Sequence, residues 1–240
     1  MRLKTISLFL AVLMGAATFT SPARQISENS TIDSPSDMTF DNLPITSAIH
    51  QLAFLAGINI LLDSKLHSNP PFVAANGKAI AEPTATNHWT NITAHQALNR
   101  MLAEHGLTML TNPATPIMRV VSTNRVVQAL PSFFNSTTND PTPALVFDDL
   151  PLRDALVLLA NQARLNLSFD PKLSAPGAMV GGTPVLKCPV KERWNNVNSK
   201  QAITALLDNF DLGVVLETDS SGASKFRVTT RQDAEVNSVR

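Results

Sequence analysis

The strongest constraint on this chain is that one stretch of it occurs twice. Phe40 to Leu66 reads FDNLPITSAIHQLAFLAGINILLDSKL, and Phe147 to Leu173 reads FDDLPLRDALVLLANQARLNLSFDPKL, at an offset of 107. Twelve of the 27 positions are identical: Phe40, Asp41, Leu43, Pro44, Ala48, Leu52, Ala53, Ala56, Asn59, Asp63, Lys65 and Leu66 in the first copy. The match resumes at an offset of 105, with His88-Trp89-Thr90-Asn91-Ile92 against Arg193-Trp194-Asn195-Asn196-Val197, and Gln96-Ala97 against Gln201-Ala202. Solenoid repeats have much shorter periods, so this is a tandem of two copies of one domain.

Both copies spell the same elements. Apolar residues at 45, 48, 49, 52, 53, 55 and 56 have helix spacing, and Leu152, Ala155, Leu156, Leu159, Ala160 and Ala163 repeat it. Pro44 and Pro151 stand at the helix start. Asp41-Asn42 and Asp148-Asp149 are expected to place negative charge near the positive end of the helix dipole. Gly57 suits the helix end, where Arg164 makes a weaker cap. Ile58, Ile60 and Leu62, like Leu165, Leu167 and Phe169, alternate as half-buried strands do. The Pro- and Gly-bearing stretches 64–86 and 171–191 read as irregular excursions with one edge strand each. A strand carrying Trp89 or Trp194 follows. Thr93 and Asn198 are good N-caps, each with a Gln three residues on. Two closing strands lie near 107–110 and 117–122, then near 212–217 and 225–229. The fold class is α+β: two tandem β-α-β-β-α-β-β domains, each with two helices packed on small sheets. Trp89 and Trp194 read as core anchors rather than a sugar-stacking platform.

The boundaries follow. Residues 1–23 carry Arg2 and Lys4, then an apolar run too short to span a bilayer comfortably, then small residues, which is a secretory signal peptide. Its removal takes two bases from a chain with 19 bases and 19 acids, so the remainder is slightly acidic. Nothing in that balance suggests the basic face nucleic acid needs, and no nucleic-acid partner is expected. Residues 24–37 read as a disordered lead-in, 38–130 as the first domain with 126–130 extending its sheet, 131–142 as a linker, 143–230 as the second domain, and 231–240 as a frayed polar tail. No later stretch has 18 consecutive apolar residues, so no transmembrane segment is expected. The one cysteine, Cys188, cannot make an internal disulfide. It reads as a small packing residue, with an intermolecular disulfide as the alternative.

The order F-D-x-L-P-x-x-x-A-(I/L), then (I/L)-N-(I/L) and D-x-K-L, then W-x-N-(I/V)-(T/N)-x-x-Q-A resembles the short N-terminal domain shared by secretins and TonB-dependent transducing receptors. The fit is nearest to secretin-like versions, and Asn112 to Val120 resembles that group's closing hairpin. The resemblance covers nearly all of both copies. It implies a periplasmic interaction module that contacts membrane partners or neighbouring subunits and catalyses nothing. Secretins continue into ring-building domains and an outer-membrane barrel, whereas this sequence stops at Arg240. Two interaction modules without a pore are therefore expected.

No residue pattern argues for chemistry. All five histidines, His50, His67, His88, His95 and His105, fall in the first copy, and Val157, Arg193, Lys200 and Phe210 stand where the second would need four of them. None of their spacings suits a metal. Asp63 and Asp170 end alternating strands in a context that reads as a turn with a local Asp hydrogen bond. The pairs Asn59/Asn166 and Asn91/Asn196 read as satisfying backbone groups. The sequence therefore predicts no catalytic, cofactor-binding or metal residues and no cofactor. The expected function is docking of a protein partner, a secretin-like or envelope complex component, or self-association, possible through exposed sheet edges. The rival reading is a small-molecule or glycan-binding module using Trp89 or the excursions.

Overall fold

The computed structural model describes residues 34–64, 66, 72–73, 79–123, 142–174, 177–218, 222 and 224–238. The expected signal peptide, the extension at 126–130, His67 and most of the linker lie outside these residues. The described residues fall in one compact unit.

The first repeat runs β1 (Ser36–Pro44), α1 (Ile45–Leu55), β2 (Asn59–Leu62), β3 (Phe72–Val73), β4 (Ala79–Ile80), β5 (Thr84–Ile92), α2 (Ala94–Glu104), β6 (Leu107–Thr111) and β7 (Ile117–Ser122). The second runs β8 (Thr142–Pro151), α3 (Leu152–Gln162), β9 (Leu167–Phe169), β10 (Met179–Val180), β11 (Thr183–Pro184), β12 (Pro189–Val197), α4 (Ser199–Asn209), β13 (Leu212–Thr218) and β14 (Ser224–Thr230), then α5 (Arg231–Ser238). Each repeat holds a two-stranded sheet, β1-β5 or β8-β12, and a three-stranded one, β2-β7-β6 or β9-β14-β13. In both, the short strand after the first helix lies parallel to the last strand. The class is α+β, with the duplicated element order that the sequence implies.

The same residues build both cores. Ile45, Ala48, Ile49, Leu52 and Ala53 of α1 are buried, as are their counterparts Leu152, Ala155, Leu156, Leu159 and Ala160 of α3. Trp89 meets Phe40 edge to face at 6.0 Å, and Trp194 meets Phe147 at 5.7 Å. Capping boxes close the starts of α2 (Thr93 with Gln96) and α4 (Asn198 with Gln201).

Four expectations need correction. The excursions hold a small hairpin each, β3-β4 and β10-β11, rather than one edge strand. Asp41-Asn42 and Asp148-Asp149 do not serve the helix dipole. Asn42 and Asp149 take φ of 50° and 51° at register shifts in β1 and β8, where a short polar side chain tolerates the left-handed region. The acid at the α1 start is Glu82, whose Oε1 accepts from the Thr46 N–H at 2.9 Å and from its hydroxyl at 2.6 Å. The lead-in ends earlier and the linker ends sooner than expected, because Ser36 and Thr142 already belong to strands. Finally, the tail is helix α5. Its Ala234 is buried so tightly against Gly213 that a Cβ there would lie 2.5 Å from the Ala234 Cβ, and Arg231 donates to the Asp208 carboxylate at 2.9 Å.

Candidate functional site

β2 is the edge of its sheet, and an edge strand carries a row of backbone groups with no strand to pair with. Side chains of the second repeat satisfy them. Trp194 Nε1 donates to the Ile60 carbonyl at 2.7 Å, and Asn209 Nδ2 to the Leu62 carbonyl at 2.9 Å. Ser64 N–H donates to Asn209 Oδ1 at 3.2 Å, and Ser64 Oγ to the Asn209 carbonyl at 2.9 Å. The Asn59 amide clasps the Asn195 backbone twice. Its Nδ2 donates to the Asn195 carbonyl at 2.9 Å, and its Oδ1 accepts from the Asn195 N–H at 2.8 Å. Asn59 thus satisfies backbone groups as expected, but those of the other repeat.

Beside this edge sits Arg119 on β7. Its Nη2 donates to Asp63 Oδ2 and to the Asn209 carbonyl, both at 3.1 Å, and its Nη1 to the Asp208 carbonyl at 3.0 Å. A cation at the carbonyl end of α4 also complements that helix dipole. Burial lowers the Arg119 pKa, and Asp208 and then Asp211 oppose the shift. Apolar packing seals the joint: Leu61 and Ile117 belong to the second repeat's hydrophobic cluster rather than their own. That is why β2, expected to be half-buried, is buried on both faces.

Along the seam, Glu192 of β12 is buried beside His50 of α1, with Oε2 3.8 Å from His50 Nδ1. Burial pushes the Glu192 carboxyl well above its ordinary range, and the Leu62 N–H, donating at 3.4 Å, offsets part of this. On one side a groove of about 490 Å³ is lined by Thr46, Ser47, Val146, Asp148, Lys191 and Arg193 among others. On the other a cleft of about 250 Å³ is lined by Gln51, Phe54, Asn59 and Arg193 among others. The Arg193 guanidinium stacks on Phe54, 4.9 Å from the ring centre. Phe54 and Val146 are 54% and 63% exposed, and Arg193, which lines both hollows, stacks on the first and stands opposite the second in the β8-β12 pairing.

The other candidates are dispersed. His88 pairs with Thr39 Oγ1 through Nδ1 at 2.8 Å, His95 lies exposed on α2, and His105 is the C-cap of α2. Among the described residues no group of three or more His, Cys, Asp or Glu side chains could hold a metal. Asp63 and Asp170 are more than turn residues, since each pairs with an arginine on the adjoining strand. The Asp63 pair with Arg119 is matched by Asp170 Oδ2 and Arg227 Nη1 at 2.6 Å. Asp170 Oδ1 also accepts from the Lys172 N–H at 2.9 Å, the local bond the sequence implied, and this is the largest cause of its lowered pKa. Asn91 and Asn196 serve conformation, with φ of 51° and 54°. Cys188 is buried, with Sγ 3.7 Å from the Pro184 carbonyl, and burial pushes the thiol pKa up. It packs as a small apolar residue.

No protein-family model matches the chain, and no curated protein matches it. It is similar to a solved structure titled "Structure of XcpQN012", at 11% sequence identity and a TM-score of 0.24, over 78% of this chain and 73% of that one. A likeness at that TM-score carries no argument. Among the described residues no helix is long and apolar enough to cross a membrane.

Proposed function

We propose that this is an exported, periplasmic, non-enzymatic interaction protein. Its two domains resemble the secretin and TonB-receptor short N-terminal domain, and it docks a protein of an envelope secretion or transport assembly. One observation carries this reading: the fold already binds a protein surface, because one repeat grips the other by edge-strand backbone and buried side chains. Beside the exposed Val146, the Phe54–Arg193 stack presents an aromatic ring and a guanidinium, residue types enriched at partner surfaces. The test is a photo-crosslinking residue at position 54 or 146 in cells that export the chain. An adduct with a defined envelope protein, absent with the probe at Asn237, is the expected result. No adduct from either position would sink the proposal.

A second reading, a small-molecule or glycan-binding module, is favoured by the polar groove beside Glu192, whose Ser, Thr, Asp, Lys and Arg lining offers both donors and acceptors. A rise in Tm on adding soluble cell-wall fragments, lost in Lys191→Ala, would select it.

A further inference from the structure

The joint between the repeats is heterologous. The first repeat contributes the β2 edge, and the second contributes β12 with the end of α4. Each repeat therefore has one half of the joint in use and an equivalent of the other half left over. On the second repeat the leftover half is the β9 edge, which pairs with β14 on one side only. On the first repeat it is β5 with the end of α2.

The leftover halves keep two of the joint's residues, the asparagine and the tryptophan, while Pro171, Ser168 and Lys225 replace Ser64, Leu61 and Ile117 and make the second joint more polar and weaker than the first. Asn166 stands where Asn59 does, is exposed, and its side-chain amide has no partner among the described residues. Trp89 stands where Trp194 does. Its ring packs on Phe40 and under Arg100, and its indole N–H has no partner among the described residues. The positions matching buried Asp208 and Asn209 are exposed Ala103 and Glu104. Arg227 takes the place of Arg119, so the template would set a cation against Glu104, an unlike pair. Helix α5 packs on β13, the opposite edge of the sheet, and among the described residues no strand pairs with the outer edge of β9. A heterologous joint that does not close on itself propagates as an open chain of subunits.

We infer that the chain self-associates head to tail, the β9 edge of one copy docking on β5 and the end of α2 of the next by the geometry of the internal joint. This rests on the reading of the fold as an interaction module and names a second copy as one partner. The Asn59–Asn195 clasp predicts that Asn166 of one copy meets the Thr90 backbone of the next. The full chain carrying Asn166→Cys and Thr90→Cys, both exposed positions, is oxidised with copper phenanthroline, which takes the two electrons released per disulfide. A ladder of dimers, trimers and higher species is expected, with neither single variant passing beyond a dimer. Sedimentation of the unmodified chain should be concentration dependent, and Asn166→Ala should shift its midpoint roughly tenfold. A double variant that stops at dimer, or that only closes within one chain, overturns the inference. So does an unmodified chain that stays monomeric. Neither result touches the crosslinks from positions 54 and 146, whose persistence in Asn166→Ala would leave the partner-docking reading standing.

Discussion

The two repeats share a fold and differ in what their sheets face. In the first, the outer side of β2 and β7 presents Leu61, Ile117 and Arg119, all buried against the second repeat. In the second, the matching positions on β9 and β14 are Ser168, Lys225 and Arg227, half-exposed. Arg227 is held by Asp170 and Glu217 of its own repeat, whereas Arg119 reaches across to the α4 carbonyls. Identical packing residues keep both cores, while two substitutions, Ser168 for Leu61 and Lys225 for Ile117, make the second repeat's sheet face more polar and leave it half-exposed within one chain. Burial of these few side chains, rather than topology, decides which copy grips and which is gripped.

The tryptophans break this comparison hardest. Removing either empties a core site, but Trp194 also donates across the joint and is fully buried, while Trp89 is 7% exposed. Trp194→Ala should cost about 3–5 kcal/mol and Trp89→Ala the lower end of that range. Urea unfolding measures both. Equal costs would show that the bond to Ile60 adds nothing.

The arginines come next. Arg119→Met leaves Asp63 buried without its cation and should cost roughly 3 kcal/mol. Arg227 is 25% exposed, so Arg227→Met should cost about 1 kcal/mol or less. Midpoints of chemical unfolding in parallel decide the ratio. A larger loss at Arg227 would reverse the assignment of grip and surface.

These asymmetries explain what the sequence disclosed. Helix faces, capping boxes and the aromatic pairs were legible because each is local or repeats at a constant offset. The Asp–Arg pairs were not, because the last strands match at an offset of 108, beyond the two shifts that organise the rest. A signal for the joint was present: Ile60-Leu61-Leu62 is apolar without alternation, the mark of a strand covered on both faces, against Leu167-Ser168-Phe169. Helix α5 has no apolar stripe to find, since Ala234 alone among its described residues is buried. The pairs Asp41-Asn42 and Asp148-Asp149 read as charge for the helix dipole because nothing local distinguishes a bulge residue from a residue preceding a helix.

Glu192 sharpens the comparison through pH, since Asn87 occupies its position in the first repeat. The folded chain holds the Glu192 proton more tightly than the unfolded chain does. Stability from this group is therefore full below the unfolded value and falls as pH rises toward the raised folded value. Glu192→Gln should flatten that decline. Unfolding midpoints from roughly pH 4 to 8 test it, and Asn87→Ala should leave the slope unchanged. A slope that survives Glu192→Gln would place the titrating group elsewhere.

The smallest effect lies at the ends of α1 and α3. Gly57 and Arg164 hold matching positions with φ of 67° and 55°, and the N–H of the next residue closes each helix, Ile58 onto the Ala53 carbonyl at 2.9 Å and Leu165 onto Ala160 at 2.8 Å. The geometry is the same, so the strain of a side chain in the left-handed region falls on the second repeat alone. Arg164 is exposed, and its charge near the helix C-terminus returns a few tenths of a kcal/mol. Arg164→Gly should therefore stabilise by roughly 0.5 kcal/mol, and Arg164→Ala, which keeps the Cβ and drops the charge, should not stabilise at all. Differential scanning calorimetry of the pair separates conformation from charge. If Arg164→Ala gains as much as Arg164→Gly, the left-handed cap carries no strain, and the two repeats end their first helices at equal cost.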